Sequence, residues 1–265
     1  MRARLALFLF VGCARSAAPS LSPPVTPVAP VATPALPSTP PPPPEEPVPV
    51  RPTEPFTLDD DLGRPVEVYP PLASSLAPTA PAPLVVFLHA TCMQPGWVCD
   101  AFGSAGRDGA WLVCPSGNST CAGEPDWYGP PKEKAAFLSH AIDLTESAVP
   151  AFVAPRPGVL VGWSRGAFAA KDVLQTRALP GRFRGLVLVA AAVGLDLKLL
   201  RELGIRRLVM AAGDWDGARG SMVATVAAAK AAGLEARWVS LGKIGHTWPP
   251  DFEARMREPI AWALE

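Results

Sequence analysis

Gly162-Trp163-Ser164-Arg165-Gly166 follows a short apolar run, Val159 to Val161, and precedes a helical stretch from Gly166 to Thr176. A serine on such a strand-turn-helix corner has its hydroxyl exposed at a helix amino terminus, where the helix dipole favours developing negative charge. The flanking glycines leave room for the strand and helix to approach one another. A hydroxyl needs a base to become a nucleophile, and the chain holds only three histidines. One of them, His246, lies on the loop after the run Ala236 to Leu241, within Gly245-His246-Thr247-Trp248-Pro249. Two carboxylates, Asp214 and Asp216, follow the apolar run Leu208 to Met210. An acid of this kind holds a histidine in the tautomer that accepts the serine proton and stabilises the imidazolium that results. Asp216 completes a Gly-x-x-Asp spacing from Gly213 and is the first choice for that acid; Asp214 is the alternative.

Other residues around this set are less determined. Trp97, Trp127, Tyr128, Trp163, Trp215 and Trp248 fall on loops after strands or beside the three candidates. Trp127, Trp163 and Trp248 are the candidates for a substrate rim, with buried packing the competing role. Arg165, next to the serine, suits contact with an acidic substrate or a solvent-facing place in the first helical turn. His140, within a helical run, is read as surface or core packing.

These side chains converge only if the backbone brings them to one edge. Leu84 to Leu88, Ala110 to Val113, Val159 to Val161, Leu186 to Val189, Leu208 to Met210 and Arg237 to Val239 read as strands apolar on both faces. Lys134 to Phe152, Gly166 to Thr176, Leu197 to Leu203, Ser221 to Ala232 and Asp251 to Leu264 read as helices. Such alternation predicts the α/β class, a mostly parallel sheet covered by helices on both faces. Arg64 to Val68 is expected to add an antiparallel edge strand. Ligands in such sheets bind beyond the carboxyl ends of the strands, where Ser164, Asp216 and His246 all fall. The interval from Gly166 to Gly213 is filled by helix, strand and helix, so no large lid domain fits and an open, shallow site is expected.

The order serine, aspartate, histidine and the context of Ser164 resemble the α/β-hydrolase superfamily from Leu84 to the carboxyl terminus. His89-Ala90-Thr91-Cys92 after the run Leu84 to Leu88 is similar to the segment after the third strand of these hydrolases. That resemblance implies an oxyanion hole made by the backbone N–H groups of Thr91 and Arg165, with His89 as a structural support of the loop. Gly245-His246-Thr247-Trp248-Pro249 and Leu88-His89 most resemble the secreted polyhydroxybutyrate depolymerase-like and feruloyl esterase-like branch. The resemblance implies hydrolysis of a small-molecule or polymer-derived carboxylic ester through an acyl-enzyme, without metal or organic cofactor. A peptidase or thioesterase with the same residues, or a non-catalytic envelope lipoprotein using the fold for binding, are the alternatives.

Sixteen of the 34 prolines lie between Pro19 and Pro55, so the chain joins two unlike materials. Residues 56 to 265 are expected to form one catalytic domain, a size that buries about 70% of the unfolded surface. Residues 13 to 55 are expected to form a proline-rich disordered linker, extended at about 3.1 Å per residue where fully stretched. Residues 1 to 12 combine two arginines with a short apolar stretch, the layout of a signal peptide. Phe10-Val11-Gly12-Cys13 resembles a bacterial lipobox, which implies lipidation of Cys13 and anchoring to a membrane of the cell envelope. Simple secretion is the alternative. The remaining Cys92, Cys99, Cys114 and Cys121 form an even set suited to an oxidising compartment. Three connectivities are open, and the local pairs Cys92 with Cys99 and Cys114 with Cys121 are favoured. Lys plus Arg and Asp plus Glu each total 24, which leaves no electrostatic footprint for nucleic acid. The domain is expected to act as a monomer.

Overall fold

Every residue of Leu84–Leu88 is buried, and successive side chains enter opposite layers. Leu84, Val86 and Leu88 join one core, whereas Val85 and Phe87 join the other. Two-faced burial of this kind forces helices onto both sides of the sheet. The computed structural model describes residues 49–60 and 63–265; residues 1–12, Cys13 and most of the linker range lie outside the described residues. Packing begins at Arg51, which is buried and donates to the carbonyl oxygens of Leu76, Ala77 and Ala80.

In chain order the strands are β1 (Phe56–Asp59), β2 (Pro65–Tyr69), β3 (Leu84–Leu88), β4 (Trp111–Pro115), β5 (Ser119–Cys121), β6 (Glu124–Asp126), β7 (Gly158–Trp163), β8 (Phe183–Val189), β9 (Arg207–Ala212) and β10 (Glu235–Ser240). The helices are α1 (Pro95–Arg107), α2 (Pro131–Ala148), α3 (Arg165–Gln175), α4 (Leu197–Glu202), α5 (Arg219–Ala231) and α6 (Phe252–Leu264). Eight strands form the central sheet in the order β1-β2-β4-β3-β7-β8-β9-β10, with β5 and β6 a separate hairpin. Strands β3, β4 and β7 to β10 run parallel, while β1–β2 and β2–β4 pair antiparallel. Helices α1 and α6 cover one face through Val98, Phe102, Met256 and Ile260. Helices α2 to α5 cover the other through Leu138, Val173, Leu200 and Met222.

Two sequence expectations are corrected here, and one helix that the sequence did not mark is added. The antiparallel strand expected at the edge, Arg64 to Val68, is internal, because the short β1 pairs along its outer side. Helix α1 was not foreseen: Gly96, Gly103 and Gly106 depress its intrinsic helix propensity, and Gly103 interrupts it at φ 44°. Its burial of Val98, Cys99, Phe102 and Ala105 overrides that preference. The disulfides are Cys92–Cys121 and Cys99–Cys114, not the local pairs. Cys99 sits on the buried face of α1 above β4, which carries Cys114, whereas Cys92 lies outside the helix and meets the β5–β6 hairpin at Cys121.

The turn after β3 is fixed from beneath by His89, which is fully buried. Its Nδ1 lies 2.6 Å from the Ala90 carbonyl oxygen and its Nε2 2.8 Å from that of Ser116. Burial lowers the His89 pKa below the ordinary histidine value, against the opposing pull of the two carbonyls and Asp126. The folded protein therefore keeps this ring neutral at a pH where the unfolded chain takes up a proton. The contribution is complete above about pH 6.5, the ordinary value, and is lost as pH falls below it. Chemical denaturation from pH 7.5 to 4.5 is expected to show stability falling by up to about 1.4 kcal/mol per pH unit from this one site. His89→Asn should reduce that slope; an unchanged slope would exclude His89 as its source.

Candidate active site

Ser164 stands between β7 and α3 at φ 52°, ψ −113°, a conformation costing a residue with a side chain about 1–3 kcal/mol. The corner is held by close packing. A Cβ on Gly166 would come within 1.9 Å of the Leu88 carbonyl oxygen, and one on Gly162 within 2.5 Å of that of Gly166. Glycine at 166 thus lets α3 press against the end of β3, and glycine at 162 lets β7 and the start of α3 close on one another. The Ser164 N–H donates to the Val189 carbonyl, which ties the corner to β8 as well.

The Ser164 Oγ lies 2.9 Å from His246 Nε2, and His246 Nδ1 lies 3.0 Å from Asp216 Oδ2. The other carboxylate oxygen of Asp216 accepts from the Ala218 N–H at 2.8 Å, so the oxygen facing the histidine is fixed in direction. The Asp216 side chain is 3% exposed, against 53% for His246. A buried acid beneath an accessible imidazole can orient the ring and balance its charge while leaving Nε2 free to exchange protons. Asp214 does not share this position: it accepts from Ser240 Oγ at 2.7 Å and faces Arg219. Of the two carboxylates that spacing left open, the structure brings Asp216 to His246.

The acid and histidine loops are zipped together by the backbone. Asp214 N–H donates to Gly242 O, Trp215 N–H to Ile244 O, and Leu241 N–H to Ala212 O. A Cβ on Gly213 would come within 2.1 Å of the Ile244 carbonyl oxygen, so glycine is required for this approach. Trp163 stacks on Trp248 with centroids 4.1 Å apart and lies roughly parallel to the His246 ring at 6.3 Å. Trp163 is buried and Trp248 partly so; they form a floor beside the histidine.

On the opposite side of Ser164, the turn carrying Thr91 follows β3. The Thr91 N–H has no acceptor among the described residues, and that of Arg165 belongs to the first turn of α3, where N–H groups have no intrahelical partner. Both are therefore free to donate to an incoming oxygen. The hairpin braces this turn: Cys92 is bonded to Cys121, Met93 N–H donates to Pro125 O at 3.1 Å, and Gln94 Nε2 donates to Glu124 at 2.6 Å.

Trp127 is corrected. It is fully buried against Phe137 and His89 rather than on a substrate rim. The exposed aromatics among the described residues are Trp97, Tyr128, Phe168 and Trp215. His140 is an exposed residue of α2. Sequence reasoning passed over Asp126, which is buried at the end of β6 and faces Arg165. Nothing in the local pattern marked this residue, because the contact depends on how the hairpin folds back.

The chain matches no protein-family model and no curated protein. Its fold is similar to that of solved structures at low sequence identity. These include an esterase, PE8, with TM-score 0.58 and 17% identity over 74% of this chain and 97% of that one. Est1E from Butyrivibrio proteoclasticus gives 0.54 and 13% over 79% and 98%. Fluorophosphonate-binding serine hydrolase F of Staphylococcus aureus gives 0.55 and 12% over 80% and 97%. The parallel sheet order, the helices on both faces and these likenesses together show that the chain has the α/β-hydrolase fold.

Proposed function

We propose that this protein is a serine hydrolase that cleaves carboxylic esters through an acyl-enzyme. The observation that carries the reading is the unbroken series Ser164–His246–Asp216, with contacts of 2.9 and 3.0 Å at the carboxyl edge of the sheet. The structural likeness to esterases supports it. Ser164 Oγ attacks the ester carbonyl carbon as its proton passes to His246 Nε2, and Asp216 balances the imidazolium. The carbonyl oxygen becomes an oxyanion that accepts from the N–H groups of Thr91 and Arg165; one such donor is worth about 2.7–4 kcal/mol in the transition state. Collapse expels the alcohol, which takes the proton from His246. Water then attacks the acyl-serine by the same route, releasing the acid and restoring Ser164. No step calls for a metal or an organic cofactor.

The substrate is a small-molecule or polymer-derived ester, and the segments around His89 and His246 favour the depolymerase-like or feruloyl esterase-like branch. We further propose export and anchoring to an envelope membrane through a lipid on Cys13, with the proline-rich stretch as spacer. The arginines, the short apolar stretch and Phe10-Val11-Gly12-Cys13 support that placement.

A fluorophosphonate probe is expected to label the wild-type protein covalently and to leave Ser164→Ala unlabelled; a folded wild type that does not react refutes the serine mechanism. Asp216→Ala should lower kcat on p-nitrophenyl acetate by about a thousandfold or more. Asp214→Ala should stay within about tenfold of wild type, and the reverse ranking would reassign the acid. Fractionation of expressing cells should find Cys13→Ala released from the membranes that retain the wild type, and equal retention would remove the lipid anchor.

A further inference from the structure

Arg165 offers the site more than its backbone N–H. Its side chain, 38% exposed, leaves α3 directly after Ser164 and runs toward the segment that follows β6. There its Nε lies 3.9 Å from Asp126 Oδ1, too far for a hydrogen bond. Its Cζ lies 6.0 Å from the centroid of the exposed Tyr128 ring. Both Nε and that carboxylate oxygen are buried and have no hydrogen-bond partner among the described residues. Arg182, by contrast, places two nitrogens on the Glu146 carboxylate at 2.8 and 2.9 Å. Arg165 is thus a guanidinium held in place by charge and by an aromatic face, with its hydrogen-bonding capacity unspent.

The sheet order says which half of an ester would meet it. Thr91 and Asp126 belong to connections after β3 and β4, on one side of β7, whereas Asp216 and His246 follow β9 and β10 on the other. In the reaction proposed above, on which this inference rests, the leaving alcohol takes its proton from His246 and so departs on the β9–β10 side. The side chain of Arg165 is then presented to the acyl half.

We propose that Arg165 is a specificity-determining residue that binds a carboxylate on the acyl half, so that the favoured substrates are monoesters of dicarboxylic acids. Planar guanidinium and carboxylate groups meet through paired, charge-assisted hydrogen bonds. Asp126 aims the guanidinium and, as a competing anion, moderates its hold on the substrate.

The test compares kcat/KM for p-nitrophenyl hemiadipate and p-nitrophenyl hexanoate, esters of equal acyl length that differ in the terminal carboxylate. The wild type is expected to favour hemiadipate, with the preference shrinking as salt rises. Arg165→Gln should lower the hemiadipate-to-hexanoate ratio by about tenfold or more, and Asp126→Asn should raise it. A wild type without the preference, or a ratio unmoved by Arg165→Gln, overturns the assignment while hexanoate turnover leaves the esterase reading standing. Turnover of neither ester overturns both.

Discussion

The approach of α3 to the end of β3 is the constraint on which the rest of the site depends. Gly166 lies so close to the carbonyls of Leu88 and His89 that no other residue fits without moving one of the two elements. That contact sets the distance between the Ser164 corner and the turn bearing Thr91. It also brings Ser164 into the left-handed region, a strained conformation that persists because β7, β8 and α3 over-determine it. A hydroxyl on a relaxed loop would have many orientations available. Here the loss of that freedom is met once, by folding, and the short contact from Ser164 to His246 follows from backbone geometry.

A second approach of the same kind, at Gly213, joins the acid and histidine loops. Both loops leave the sheet from adjacent parallel strands, and their hydrogen bonds extend the β9–β10 pairing beyond the strands themselves. Asp216 can therefore be buried and still meet a histidine that is open to solvent. The two halves are built differently. The histidine side is held by backbone bonds and a tryptophan stack, whereas the Thr91 side is held by a disulfide, a buried imidazole and an accessory hairpin.

Much of this was legible before the fold was known. Parallel strands leave long apolar runs, and the corner at Ser164 needs glycines at fixed spacing, so both register locally in the sequence. The position of His246 after the last strand was legible for the same reason. The choice between Asp214 and Asp216 was not, since it turns on which carboxylate the loop buries and on a single N–H from Ala218. The disulfide pairing was hidden because α1, rich in glycine, carries Cys99 over the sheet and away from Cys92. Trp127 read as a rim residue because the sequence shows the loop but not the inward turn that covers it with α2.

The two disulfides are nested: Cys99–Cys114 lies wholly inside the loop closed by Cys92–Cys121. All four cysteines precede Ser164, Asp216 and His246 in the chain. A polypeptide emerging amino end first therefore exposes every partner needed for both cross-links before any of those three residues has appeared. The turn bearing Thr91 and the hairpin that braces it can be covalently closed while Ser164, Asp216 and His246 are still to be made.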